Sequence, residues 1–296
     1  MHDFVGYREV ELADHDLGLT FPLVVLYPTS TPDESVSVGR FRLNVARDAP
    51  VKEGVFPLVL ISHGSGGTPM VYRTLAHYLA RNGFIVGLPE HPFNNRNDNS
   101  WEGTVQNLTA RPRHLHTAIE TFFVSPTFAR CVKPAAVGLI GHSMGGYTAL
   151  ALAGGVPTSF AWESAEGQPQ RIVVAPDSRV KAVVLLAPAT AWFRAQGALQ
   201  GVEAPILMLH AEKDEYVPYE HAEIVLNGVS TKEQIEHRVV PNAGHFAFLR
   251  PFPEAMTNPA FPPSQDPPGF DRARFHDELH AAVAGFLGRE LESQSG

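Results

Sequence analysis

An α/β architecture, with a mostly parallel sheet covered by helices on both faces, is the fold class that this sequence predicts. Three observations carry it. Short apolar runs rich in β-branched residues recur along the chain. Segments of helical character separate them, which is the pattern of strands buried on both sides. The 296 residues are 44% hydrophobic, with no internal repeat and no Gly/Ser-rich linker, so a single domain over 1–296 can bury a sizeable core.

In chain order the strand runs are 21–27, 56–62, 84–88, 136–140, 180–186, 205–210 and 235–240, with 9–12 as an added edge strand. Helical segments lie over 70–81, 113–123, 144–153, 219–227 and 271–287. The last spaces Phe275, Leu279, Val283 and Phe286 at intervals of four and three, so one face is apolar and docks on the sheet as a closing helix. Three irregular insertions interrupt the order: 89–105 is polar and Asn-rich, 154–178 is punctuated by Gly and Pro, and 246–270 carries prolines and aromatics. Loops beyond the carboxyl ends of such strands build ligand sites, so each is a candidate pocket wall or a plain surface loop.

Composition excludes several function classes. With 23 basic against 31 acidic side chains, a net charge of −8 opposes contact with nucleic acid. Cys131 is the only cysteine, so no intramolecular disulfide forms. The N-terminus has no basic segment followed by an apolar run, and no stretch approaches the ~20 apolar residues of a membrane span. The expectation is a cytoplasmic protein acting on a small molecule, with a homodimer left open.

Directly after the run 136–140 comes Gly141-His142-Ser143-Met144-Gly145-Gly146, followed by a helix-forming segment. This is G-x-S-x-G in a strand, sharp turn, helix setting. Glycines let the turn close around a strained serine, and the helix N-terminus behind it favours developing negative charge. Ser143 is therefore the expected nucleophile. His142 adjoins it but points elsewhere on such a turn, and reads as a packing or hydrogen-bonding residue.

A serine hydroxyl needs a histidine to take its proton and a carboxylate to hold that histidine's tautomer. The order Ser, acid, His on loops after successive strands narrows the search. After the run 205–210 comes Ala-Glu-Lys-Asp214-Glu, and after 235–240 comes Pro-Asn-Ala-Gly244-His245. Asp214 is the expected acid and His245 the expected base, with Glu212 and Glu215 as alternative carboxylates. His210 reads as a packed residue. His114 and His116, two apart on a helix, do not share a face and do not make a metal site.

Negative charge on a substrate carbonyl oxygen calls for aimed backbone N–H groups. One expected donor is Met144, the residue after the nucleophile. The other lies in Ser62-His63-Gly64-Ser65-Gly66-Gly67, assigned to Ser65 with Gly64 as the near alternative. That loop could cradle a phosphate, but it lacks the Gly-Lys-Ser/Thr ending of phosphate loops.

The ordered set formed by the 63–67 loop, the 141–146 elbow, Asp214 and Gly244-His245 resembles the α/β-hydrolase superfamily over nearly the whole chain. Within it, Ser62-His63-Gly64 together with Leu79-Ala-Arg-Asn-Gly83-Phe-Ile-Val-Gly-Leu-Pro-Glu90-His91 resembles bacterial relatives of platelet-activating-factor acetylhydrolase and predicted dienelactone hydrolases. The resemblance implies an α/β-hydrolase fold with an eight-stranded sheet, no cofactor or metal, and ester or lactone substrates. Dienelactone hydrolases proper use a cysteine nucleophile, whereas this elbow carries Ser143.

Phe93, Trp101, Phe246 and Phe248 come from loops expected to rim the site, and with Gly64 they form the expected substrate contacts, or they are ordinary packing. Arg96 and Asp98 would steer a polar substrate or belong to a solvated loop. The leading reading is cleavage of small carboxylic esters through an acyl-enzyme on Ser143. Lactone, thioester, amide or phospholipid acyl hydrolysis uses the same groups, and a non-catalytic receptor of the same fold is the rival from another class.

Overall fold

In the computed structural model, which describes residues 4–39 and 41–292, the chain opens with two long antiparallel strands, β1 (Phe4–Asp14) and β2 (Leu19–Thr29). A hairpin follows, β3 (Glu34–Val38) and β4 (Phe41–Arg47). Strands and helices then alternate as β5 (Phe56–Ser62), α1 (Arg73–Arg81), β6 (Ile85–Pro89), α2 (Val105–Val124), β7 (Val132–His142) and α3 (Met144–Leu152). The remainder is β8 (Val180–Leu186), β9 (Ile206–Ala211), α4 (Glu220–Gly228), β10 (Ile235–Val240) and α5 (Arg272–Glu292).

The strands make one sheet in the order β10-β9-β8-β7-β5-β6-β2-β1-β4-β3. From β10 to β6 every pairing is parallel, and β2 joins that block antiparallel to β6. Alternation along the strands feeds two cores. Leu58 and Leu60 of β5 face the helices α2, α3 and α4, while Val59 and Ile61 face α1 and α5. A strand that is apolar at successive positions presents apolar side chains to both faces and requires both to be covered, as they are here.

The sheet has ten strands rather than the expected eight. The β3–β4 hairpin escapes sequence reading because its outward positions are polar and few of its residues are buried. The short edge strand expected at 9–12 is the eleven-residue β1, held between β2 and β4. The helix expected from 113 begins eight residues earlier, at Val105, with the Thr104 hydroxyl accepting the Asn107 amide as its N-cap. Pro112 marks a natural start, yet it sits inside α2. Proline removes the N–H that would bond the carbonyl four residues back, and the buried Tyr147 hydroxyl donates to that carbonyl, Leu108 O, at 2.9 Å.

The chain runs from β5 to β6 on one side and then crosses to β7 on the other, so the crevice beyond the ends of β5 and β7 is the switch point of the sheet. Open α/β sheets bind ligands there.

Candidate active site

The turn between β7 and α3 places Ser143 at φ 53° and ψ −120°, a left-handed conformation that a side-chain-bearing residue adopts only under constraint. Three backbone hydrogen bonds supply that constraint. The Ser143 amide donates to Leu186 O at 3.0 Å, and its carbonyl accepts from the amides of Gly146 at 2.8 Å and Ala189 at 2.9 Å. Gly145 is required by packing, since a Cβ there would lie 2.0 Å from Ser62 O. Met144 is the first residue of α3, so its N–H has no acceptor within the helix.

Asp214 follows β9 and His245 follows β10, and the chain brings them together: His245 Nδ1 lies 2.8 Å from Asp214 Oδ2. The Asp214 side chain is buried, and its other oxygen accepts the amides of Tyr216 at 2.9 Å and Val217 at 2.8 Å. Burial alone would raise its pKa. The hydrogen bond from His245, that ring's charge and the two amides outweigh burial and hold the carboxyl below its ordinary value. Glu212 is turned away to accept the Asn242 amide and is exposed, as is Glu215.

Ser143 and His245 line one cavity. Among the described residues no hydrogen bond joins the two side chains, which is common before substrate tightens a site. The His245 backbone is nonetheless tied to the elbow. His142 Nε2 sits 3.0 Å from His245 O, and His142 Nδ1 sits 2.9 Å from the Tyr72 hydroxyl. A phenol donating to Nδ1 leaves the proton on Nε2 to bond the carbonyl, so the ring is neutral. Burial, followed by the repulsion of His245, pulls its pKa down to about 3.

The loop after β5 arches over Ser143: a Cβ on Gly64 would stand 3.2 Å from Ser143 Cβ. Its next residue, Ser65, is pinned from the 89–105 segment. Ser65 Oγ donates to Glu102 Oε1 at 2.9 Å and accepts from Asn94 Nδ2 at 2.9 Å. The Gly64 carbonyl accepts the Gly67 amide at 3.1 Å.

The cavity over these groups has a volume of about 880 Å³. All three insertions contribute to it: Arg96, Glu102 and Gly103 from the first, Trp162 and Glu163 from the second, and Phe246, Phe252 and Phe261 from the third. Gly64, Ser65, Met144 and Phe246 stand in its wall as the sequence indicates. Phe93 and Trp101 do not. Their rings pack on each other with centroids 4.4 Å apart, and Trp101 donates its amide to Phe93 O, closing the 89–105 segment on itself. Phe248 is buried core, packed against His142 and Phe275.

Arg96 reaches the cavity with its guanidinium carbon 5.5 Å from the Phe261 ring centroid, while Asp98 turns back to the Ser100 amide. His210 is packed beside Tyr219. His114 is buried against Asp14 while His116 faces outward toward Asp177, and among the described residues no group of three His, Cys, Asp or Glu side chains could hold a metal. Sequence reading missed Tyr72, Trp162, Trp192 and Tyr216 in the wall. Only Trp162, inside an irregular insertion, carried a signal that could have flagged it.

The chlorophyllase family model matches residues 42–161, less than half of the chain, covering the β5 loop and the elbow. A solved ferulic acid esterase from Streptomyces cinnamoneus superposes with a TM-score of 0.72 at 19% identity, covering 100% of this chain and 92% of that one. Neither match bears on the narrower resemblance to platelet-activating-factor acetylhydrolase relatives. The structural match establishes the α/β-hydrolase fold.

Proposed function

We propose that this α/β-hydrolase-fold chain is a carboxylic ester hydrolase that works through an acyl-enzyme on Ser143. The observation that carries the reading is the convergence of a strained serine at the elbow with a hydrogen-bonded Asp214–His245 pair on one cavity. His245 takes the hydroxyl proton as Ser143 attacks the carbonyl carbon, and Asp214 stabilises the imidazolium that results. The oxyanion is received by the amides of Met144 and Ser65. His245 then returns the proton to the departing alcohol, and a water activated by the same ring releases the acid.

The cavity indicates what is cleaved. At about 880 Å³, walled by Trp162, Trp192, Tyr216, Phe246, Phe252 and Phe261, it is larger than acetyl or butyryl esters need. The reading is therefore extended from small esters to esters with a bulky apolar or aromatic part. A ferulic acid esterase as structural neighbour supports this, since ferulate is an aromatic acid.

The test is hydrolysis of p-nitrophenyl acetate, butyrate and a cinnamoyl-type aryl ester by the purified chain and by Ser143→Ala. The wild type should turn over all three and react with a fluorophosphonate probe, and Ser143→Ala should do neither. Equal rates for the two proteins would remove the assignment. Failure of the wild type to react with the probe would turn it toward a binding protein.

A further inference from the structure

Arg111 lies on α2, distant in sequence from the motifs that mark the site, and is completely buried. A cation taken out of water normally requires a carboxylate partner. Here every hydrogen-bond acceptor of the guanidinium is a neutral oxygen. Nη2 donates to His63 O and to Ser62 Oγ (3.2 Å), Nη1 to Asn94 Oδ1 at 2.6 Å, and Nε to Thr148 Oγ1 at 2.9 Å. The titratable groups facing it are uncharged as well. Burial holds the phenols of Tyr72 and Tyr147 up and the imidazoles of His63, His91 and His114 down.

The partners of that guanidinium define its purpose. Asn94, held through Oδ1, donates through Nδ2 to Ser65 Oγ at 2.9 Å. Thr148, held through Oγ1, donates the same hydroxyl to Met144 O at 3.0 Å. Ser65 and Met144 are the two residues assigned to the oxyanion hole, and they come from different strand ends, β5 and β7. Each is two hydrogen bonds from one rigid fork.

We propose that Arg111 is a positioning residue that holds the two halves of the oxyanion hole in register, acting through Asn94 and Thr148. The inference rests on the serine-hydrolase reading. Planarity is what suits arginine to the task, because its donors leave in fixed, divergent directions. A lysine ammonium is a point charge that cannot span acceptors on three segments at once. Misplacing a donor from the oxyanion weakens the transition state more than the bound ester, so the loss belongs in kcat.

The experiment uses the full chain as wild type, Arg111→Lys and Thr148→Val. Fluorophosphonate end-point labelling counts active sites, and kcat per labelled site and KM are measured on p-nitrophenyl butyrate. The Ki of an alkyl boronic acid, which forms a tetrahedral adduct, completes the set. Arg111→Lys should lose about tenfold or more in kcat per site and Thr148→Val about threefold, with KM held within about twofold and the boronate Ki rising in parallel. A merely structural residue would lower the number of labelled sites and leave kcat per site and the boronate Ki unchanged, which would overturn the proposal. Where Arg111→Lys yields no folded protein, Thr148→Val decides alone. A wild type with neither esterase activity nor probe labelling would instead remove the serine-hydrolase reading, and this inference with it.

Discussion

Ser143 holds a backbone conformation that three hydrogen bonds and a glycine neighbour enforce, and the same enforcement presents its hydroxyl to the cavity. At this scale Asp214 has the narrowest specification: one oxygen for His245 and the other for two amides. Asp214→Asn keeps the shape but offers an N–H where His245 needs an acceptor, which favours the wrong tautomer. The expected result is a fall in kcat of about 10³- to 10⁴-fold with the fold intact, measured by ester turnover alongside circular dichroism. Gly64→Ala sets a methyl 3.2 Å from Ser143 Cβ and should cut kcat while leaving the thermal midpoint nearly unchanged. The residues of the proposed triad were legible because their chemistry imposes local context: an elbow for serine, and strand-end loops for the acid and base. Phe93 and Trp101 were not, since an aromatic ring in a loop packs on whatever it meets, and these two meet each other.

Among the elements, α2 shows how a local rule is overridden. Pro112 argues for a helix boundary, and the chain continues through it because Tyr147 of α3 covers the carbonyl that proline abandons. Tyr147→Phe leaves Leu108 O buried and unpaired and should cost on the order of 1–3 kcal/mol by urea unfolding. In a Pro112→Ala background, where an N–H can return to Leu108 O, the same change should cost measurably less. A double-mutant cycle reads that difference as coupling. The third insertion also acts as an element: its irregular segments, flanking 3₁₀ turns at Glu254–Met256 and Pro262–Ser264, bring Phe252 and Phe261 to the cavity wall. Trp162, 69% exposed at the mouth, should matter for long or aromatic esters and little for acetate. Trp162→Ala is expected to raise KM for the former alone.

Across the whole molecule, buried histidines set the response to acid. His63 and His142 have pKa values pulled down to about 3 and His114 to about 4, first by desolvation and then by neighbouring positive charge that includes Arg111 for His63 and His114. Unfolded, each ring takes a proton near the ordinary value of about 6.5. Between those limits the unfolded chain binds more protons, so stability rises with pH. It is lost as pH falls below about 6.5, by up to about 1.4 kcal/mol per pH unit for each such ring. Asp214 has the same sign but a lower window, because its contribution disappears only as pH drops from about 3.9 through a folded value below 3.8. The urea midpoint should therefore decline steadily from about pH 7 to about pH 5.5.

Sequence alone determined the alternation of strand and helix, the place of the elbow and the order along the chain of the proposed nucleophile, acid and base. Each of these is written in neighbouring residues, as apolar periodicity or as a turn that only glycine and a strained serine can make. Tertiary structure decided the rest: the ten-strand count, the extension of α2 through a proline, the cavity wall and the station of Arg111. Those features depend on side chains far apart in the chain supplying one another's missing hydrogen bonds or apolar cover, and no local pattern records which distant partner will arrive.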